Sequence, residues 1–187
     1  MNISEQGKIF LVSLEGICLS PYLDSVGVKT LAIGATKSEL PNLADMPWDK
    51  KITMKEAFDL LEYGLRKYVD AVNRSLDVCI TQHQFDALVS FAYNVGTGVV
   101  RERRGGMSGS TLLKRINAGE SGQSIRNAFM MWLKPPELKG RRTKEANLYL
   151  NGNYGDGKAQ LFPVDPKTHK PLYRKSQIIN VKEYLDG

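Results

Sequence analysis

Residues 15–30 read Glu15-Gly-Ile-Cys-Leu-Ser-Pro-Tyr-Leu-Asp24-Ser-Val-Gly-Val-Lys-Thr30, and the reading of this stretch decides the fold. Upstream of it, Ile3, Gly7, Phe10, Leu11 and Leu14 recur at helical spacing behind Ser4, a suitable N-cap. A helix therefore runs up to Glu15, and Gly16 can supply the left-handed residue that stops it. Pro21 ends helical options, and residues 22–37 read as extended chain with a turn at Ser25 to Gly27. One carboxylate thus sits at a helix end and a second comes nine residues later on extended chain, with the hydroxyl of Thr30 six residues beyond. Two carboxylates on different elements can flank a bond, as glycoside hydrolysis requires. An acid at a helix C-terminus meets the negative end of the macrodipole, and burial acts in the same sense, so both favour the protonated form that a general acid needs.

Outward from this stretch, Leu40 to Lys51 is dense in Pro, Asn and Asp and reads as a loop, with Trp48 as a packing plug. Residues 21–50 are expected to form a sheet-and-loop lobe. Most of the chain from there to Gly152 is helical. Thr53 to Glu56 and Thr81 to Gln84 have capping-box form, each opening an apolar stripe, and Gly96 stops the second. Leu112, Leu113 and Ile116 mark a short helix. Ile125, Ala128, Phe129 and Trp132 mark another that ends before Pro135, and Ala146 and Leu150 mark a last one stopping near Gly152. The expected class is α+β: one domain over 1–187, with a helical lobe from 4–20 and 52–152 and a C-terminal extension over 155–187. Gln160 to Val164 and Ser176 to Val181 are β-like runs in that extension, which is expected to pack on the helical lobe.

Composition narrows the chemistry. Hydrophobic residues make up 42% and charged residues 25% of the 187, enough apolar side chains for a real core. No run is long enough to span a bilayer, and the start lacks a signal-peptide pattern, so synthesis in a cytoplasm without membrane insertion is expected. Cys18 and Cys79 are read as reduced and mostly buried, and neither lies at zinc-ligand spacing. His83 and His169 are read as isolated, exposed side chains without a catalytic role. The net charge of +6 points to acidic partners. Arg101, Arg103 and Arg104 stand in a basic, flexible loop suited to anionic envelope polymers, while no nucleic-acid motif accompanies them.

The pattern Glu15-x8-Asp24-x5-Thr30 behind an N-terminal helix resembles the phage-type lysozymes, the endolysin muramidases of glycoside hydrolase family 24. Further segments resemble the family in order: Ile52 to Leu61, Gln82 to Gly96, Ser110 to Leu113, Phe129 with Trp132, and Gly140 to Ala146. The resemblance covers about 4–152. It implies a lysozyme-like fold with two lobes flanking a cleft, and hydrolysis of the bond between N-acetylmuramic acid and N-acetylglucosamine in peptidoglycan. It implies no metal and no cofactor. Carried over by position, Glu15 is the general acid and Asp24 acts from the opposite side with Thr30 holding water. Tyr93, Asn94, Gly96 and Arg141 or Arg142 are substrate-binding candidates.

Thr30 favours an activated water over a covalent intermediate, since a direct nucleophile needs no such helper. Carboxyl groups about 6.5–9.5 Å apart would leave room for that water and invert the anomeric centre; about 5 Å would make Asp24 a nucleophile. Ala35 stands where the family usually has a histidine, and residues beyond about 155 have no counterpart in shorter members. A monomer is expected, held in the host cytoplasm until a holin-type pore opens a path to the periplasm and wall. The alternatives are a lytic transglycosylase and a non-catalytic module binding peptidoglycan or nucleic acid.

Overall fold

The computed structural model describes residues 1–185; Asp186 and Gly187, which the expected extension included, lie outside the described residues. The chain is mixed helix and sheet, as the α+β expectation required. In order it forms α1 (Glu5–Glu15), β1 (Cys18–Leu23), β2 (Lys29–Ala32), α2 (Met54–Ser75), α3 (Gln82–Val95), α4 (Thr111–Asn117), α5 (Gln123–Phe129), α6 (Lys139–Asn151), β3 (Lys158–Leu161) and β4 (Gln177–Asn180). Two antiparallel pairs result, β1 with β2 and β3 with β4. Among the described residues no helix is long and apolar enough to cross a membrane.

The chain divides into two compact units, one of residues 1–8 and 65–155, the other of residues 9–64 and 156–187. The first is built on α3, whose N-terminus carries a complete capping box between Thr81 and Gln84 and whose C-cap is Gly96. Phe85, Leu88, Val89, Phe91 and Ala92 on α3 are fully buried with Leu112, Ile125, Phe129 and Leu148. Phe91 packs edge-on against Phe129 and Trp132, each with ring centroids 5.6 Å away, a favoured aromatic geometry. Helix α5 stops at Phe129, so Trp132 lies past the helix expected to carry it. Its ring is positioned by Phe91 and by turns in which Met131 and Trp132 donate to Ala128 and Phe129 carbonyls.

Two buried polar clusters hold this unit, one of hydrogen bonds alone and one built on an ion pair. The Asp86 carboxylate is fully buried. It accepts the Ser4 amide at 3.0 Å, the Gln82 side-chain amide at 2.9 Å, the Tyr154 hydroxyl at 2.7 Å and the Ser4 hydroxyl. Ser4 in turn caps α1 by accepting the Gly7 N–H at 2.9 Å. Position 7 has to be glycine because a Cβ there would lie 2.5 Å from Asp86 Cγ. In the second cluster Arg142 and Glu145, both wholly buried, form an ion pair that also engages Arg141, Ser90 and Asn94. A buried charge is tolerable only when paired and hydrogen-bonded in this way.

The phenols of this unit predict an alkaline limit. Burial pushes Tyr149 from 10.0 to about 12, and burial reinforced by the bond to Asp86 does the same for Tyr154. The fold therefore favours the neutral phenols, and the unfolded chain gives up those protons first as pH rises. Stability from this source is complete below about pH 10 and lost between about 10 and 12. Guanidinium unfolding midpoints should be flat from neutrality to about pH 9 and fall above about 10, with a shallower fall in Tyr154→Phe. A profile unchanged to pH 12 would contradict this.

In the second unit β1 begins at Cys18, so Pro21 lies inside the strand where the sequence suggested a boundary. Proline is admitted because the β1–β2 register breaks between Cys18 and Tyr22, where no ladder N–H is needed. Leu31, Ala32, Leu43, Ile52 and Ala57 form the local core, with Leu19, Leu40, Met46 and Leu60 against it. Thr53 and Glu56 make the expected capping box at the start of α2, with Thr53 N–H to Glu56 Oε2 at 2.6 Å and Glu56 N–H to Thr53 Oγ1 at 3.1 Å.

Three smaller expectations change. Cys79 is exposed, while Cys18 is buried and its thiol is pushed up to about 12 by burial. His83 and His169 are half-buried, and the ring of His169 stacks on Trp48 at 4.1 Å, so it is neither isolated nor exposed. The basic loop is tied: Val99 and Arg104 exchange backbone hydrogen bonds, and Arg103 pairs bidentately with Asp77 at 2.7 and 2.6 Å.

Candidate active site

Glu15, Asp24 and Thr30 all belong to the second unit. Glu15 is the last residue of α1 and half-buried. The helix stops because Gly16, at φ +73°, turns left-handed after its N–H bonds the Val12 carbonyl at 2.9 Å. From there the chain enters β1, whose partner residues on β2 are Ala32 for Cys18, Thr30 for Tyr22 and Lys29 for Leu23.

Asp24 comes after β1 in the hairpin turn. Its amide N–H donates to the Val28 carbonyl at 3.0 Å, and its Oδ1 accepts the N–H groups of Val26 at 3.0 Å and Val28 at 2.8 Å. An aspartate that folds its own turn in this way has its side-chain rotamer fixed by the backbone. Thr30 is only 3% exposed, and its hydroxyl donates to the Val28 carbonyl at 3.0 Å. Both groups of the Val28 peptide neighbourhood are thereby engaged: Thr30 holds its carbonyl while Asp24 holds its N–H.

The sequence does not single out Tyr22, yet the structure puts it at the centre. It lies across the ladder from Thr30 and two residues before Asp24. Burial pushes its phenol far up, and the ionisable groups of Cys18, Glu15, Asp24 and Tyr173 add in the same direction. The phenol therefore stays neutral. A signal was available for Tyr22 and Thr30: cross-strand partners of a hairpin share a face.

The other candidates belong to the first unit. The ring of Tyr93 is tilted on Tyr68 at 4.9 Å. Asn94 is exposed at the end of α3, its Oδ1 accepting from Arg142. Gly96, at φ +81°, caps α3 and its carbonyl accepts the Met107 N–H at 2.8 Å. Arg141 is 9% exposed and reaches Glu145 at 3.0 Å and the Ser90 carbonyl at 3.2 Å, so its guanidinium holds the buried cluster together. Among the described residues no group of three or more His, Cys, Asp and Glu side chains could hold a metal ion.

A helix-terminal glutamate and a turn-fixed aspartate, each a group able to exchange a proton, thus stand before and after one strand. Comparison with known proteins bears on what they act on. The family model described as phage lysozyme matches residues 12–145. The endolysin of Bacillus phage B103 is 34% identical over 188 residues, covering 98% of this chain, which spans 64% of that relative's length. The endolysin of Salmonella phage P22 is 32% identical over 155 residues, covering 81% of this chain and 99% of that relative. The solved endolysin from Escherichia coli O157:H7 phage FAHEc1 superposes with a TM-score of 0.69 at 31% identity, covering 83% of this chain and 98% of that one. The chain belongs to the phage lysozyme family.

Proposed function

We propose that this chain is an endolysin that hydrolyses the β-1,4 bond between N-acetylmuramic acid and N-acetylglucosamine in peptidoglycan, with inversion at the anomeric carbon. The observation that carries the reading is that Glu15 ends α1 and Asp24, its Oδ1 held by the Val26 and Val28 N–H groups, follows β1, so the two carboxylates bracket one short strand. Family membership supplies the reaction class.

In this reading Glu15 gives its proton to the glycosidic oxygen as the bond to the anomeric carbon breaks. A water on the opposite face attacks that carbon, and Asp24 accepts the proton the water loses. Asp24 Oδ1 is held by two backbone N–H groups, so Oδ2 is the oxygen that meets the water. Thr30 Oγ1 has committed its own proton to Val28, so it can only accept a hydrogen bond from the water; its firmer task is to fix the peptide that fixes Asp24. Tyr93, Asn94, Gly96 and Arg141 are substrate-binding candidates, Arg141 acting mainly by holding Glu145. Purified peptidoglycan incubated with the protein should release new reducing N-acetylmuramic acid ends. Digestion without such ends would remove the assignment.

The substrate places the action of the protein in the cell wall. We infer that a holin-type pore gives the protein its path to that wall. Attraction to anionic envelope polymers has a narrower basis than the arginine count suggests. Arg103 pairs with Asp77 and Arg104 with Glu102 at 3.0 Å, which leaves Arg101 as the candidate contact. Lysis of permeabilised cells should therefore weaken only about twofold or less per tenfold rise in salt, and Arg101→Gln should flatten that dependence. A steep profile unaffected by Arg101→Gln would remove the polymer contact.

A further inference from the structure

Residues 158–173 lie beyond the stretch that matches the family, 12–145, yet they are joined by backbone hydrogen bonds to both ends of the strand between the candidate carboxylates. At the first end Ile17 donates to the Gln160 carbonyl and Phe162 donates to the Ile17 carbonyl, each at 2.8 Å. At the second end Leu23 donates to the His169 carbonyl at 2.7 Å. Ile17 stands two residues after Glu15, and Leu23 immediately precedes Asp24.

Side chains lock both joints. The Phe162 ring occupies the place a Cβ would take on Gly16, and Tyr173 packs edge-on against it with centroids 5.3 Å apart. His169 is presented by a tight turn in which its N–H bonds the Asp165 carbonyl at 2.8 Å and Asp165 Oδ1 accepts from Lys167 and Thr168. Its ring stacks on Trp48 at 4.1 Å and 11°, and Lys29 Nζ lies 4.4 Å from the Trp48 ring centroid.

The hairpin pairing by itself does not set this span, whose middle is held where the Ile52 N–H donates to the Leu19 carbonyl at 2.9 Å. Between Cys18–Ala32 and Tyr22–Thr30 the ladder is irregular, with three β1 residues opposite one on β2. A bulged strand bends and twists at the irregularity, so its ends need a second constraint. Ser20, in the irregular part, lines cavities of about 340 and 370 Å³, the second shared with Leu19, whose other walls include Val164 and Lys51. The segment grips β1 on either side of the bulge and stands off its middle.

We propose that residues 160–169 are a positioning brace that sets the span from Glu15 to Asp24, with Phe162 and His169 as the positioning residues. The inference rests on the proposed hydrolysis and adds a device to it. Neither residue touches the substrate; each acts through β1. Misplacing a reacting group by about 1 Å can cost on the order of 100-fold in rate.

The test is steady-state release of reducing ends from solubilised peptidoglycan strands by the full chain and its variants, at a temperature where circular dichroism shows each folded. Phe162→Ala and His169→Gly should lower kcat about 10-fold or more with KM within about twofold, the signature of lost positioning rather than lost binding. Phe162→Leu should recover most of the loss, and Ile178→Ser, at a side chain 71% exposed, should match the unaltered protein. If Phe162→Ala does not fold, His169→Gly and Phe162→Leu decide by the same kcat-against-KM split. Unchanged kcat in the folded variants, or a rise in KM alone, overturns the brace and leaves the hydrolysis standing. Absence of turnover in the unaltered protein overturns both.

Discussion

Glu15→Gln should abolish peptidoglycan hydrolysis while leaving the fold intact. The amide keeps the size of the side chain and its place at the end of α1, and it cannot deliver a proton to the leaving oxygen. General acid assistance is worth about 10²–10⁴ in rate, so turnover should fall by at least about 100-fold, with a melting temperature within about 2 °C of the unaltered protein. Turbidity loss of permeabilised cells and reducing-end release from purified peptidoglycan both read this out. Asp24→Asn should lose a comparable amount of activity while its Oδ1 can still accept from Val26 and Val28. Equal activity of Glu15→Gln and the unaltered protein would take the acid role away from Glu15.

Arg142→Met should be the most destabilising of these substitutions. Arg142 and Glu145 are both wholly buried, and Arg142 also reaches the Trp132 carbonyl at 3.2 Å and packs over the Phe91 ring at 4.9 Å. Removing it leaves the Glu145 carboxylate in the core with Arg141 at 3.0 Å and the Ser90 hydroxyl at 2.8 Å. Breaking a buried ion pair by deleting one partner costs about 3–5 kcal/mol, because the remaining charge is undercompensated. Urea unfolding of Arg142→Met, Glu145→Gln and the double variant gives the coupling directly. The double variant should lose clearly less than the sum of the singles. A loss below about 1 kcal/mol in Arg142→Met would show that this cluster is not what holds the first unit together.

Local signals make much of this fold legible in the sequence. The capping boxes at Thr53 and Thr81, the stops at Gly16, Gly96 and Gly152, and the turn before Gly27 are encoded within a few residues and appear in the structure. The two β-like runs of the extension pair as β3 and β4. The rest depends on contacts distant in sequence. Pro21 reads as a strand boundary until the bulge opposite β2 removes the need for its N–H. His169 reads as an isolated exposed histidine because Trp48, its stacking partner, lies 121 residues earlier. Asp86 is buried because Ser4 and Tyr154, both distant from it in sequence, converge on it.

The candidate site divides in the same way. Glu15 and Asp24 stand out because their spacing straddles a helix end and a hairpin, both local features. Thr30 reads as a holder of water, and the structure adds that it is buried with its hydroxyl donating to the Val28 carbonyl. Arg141 reads as a substrate-binding candidate, and its guanidinium also bonds Glu145, which its spacing in the sequence does not reveal. Burial and the direction of a donor are properties of the folded chain, and a residue type at a spacing does not carry them.

The most direct measurement is time-resolved NMR of the products released from purified peptidoglycan, recorded before the anomers equilibrate. Water attack opposite a protonated leaving group on a β-linked strand predicts reducing N-acetylmuramic acid that appears first as the α-anomer. First appearance of the β-anomer would mean that Asp24 forms a covalent intermediate, and a 1,6-anhydro product would mean that no water attacks at all. Either result would contradict the account.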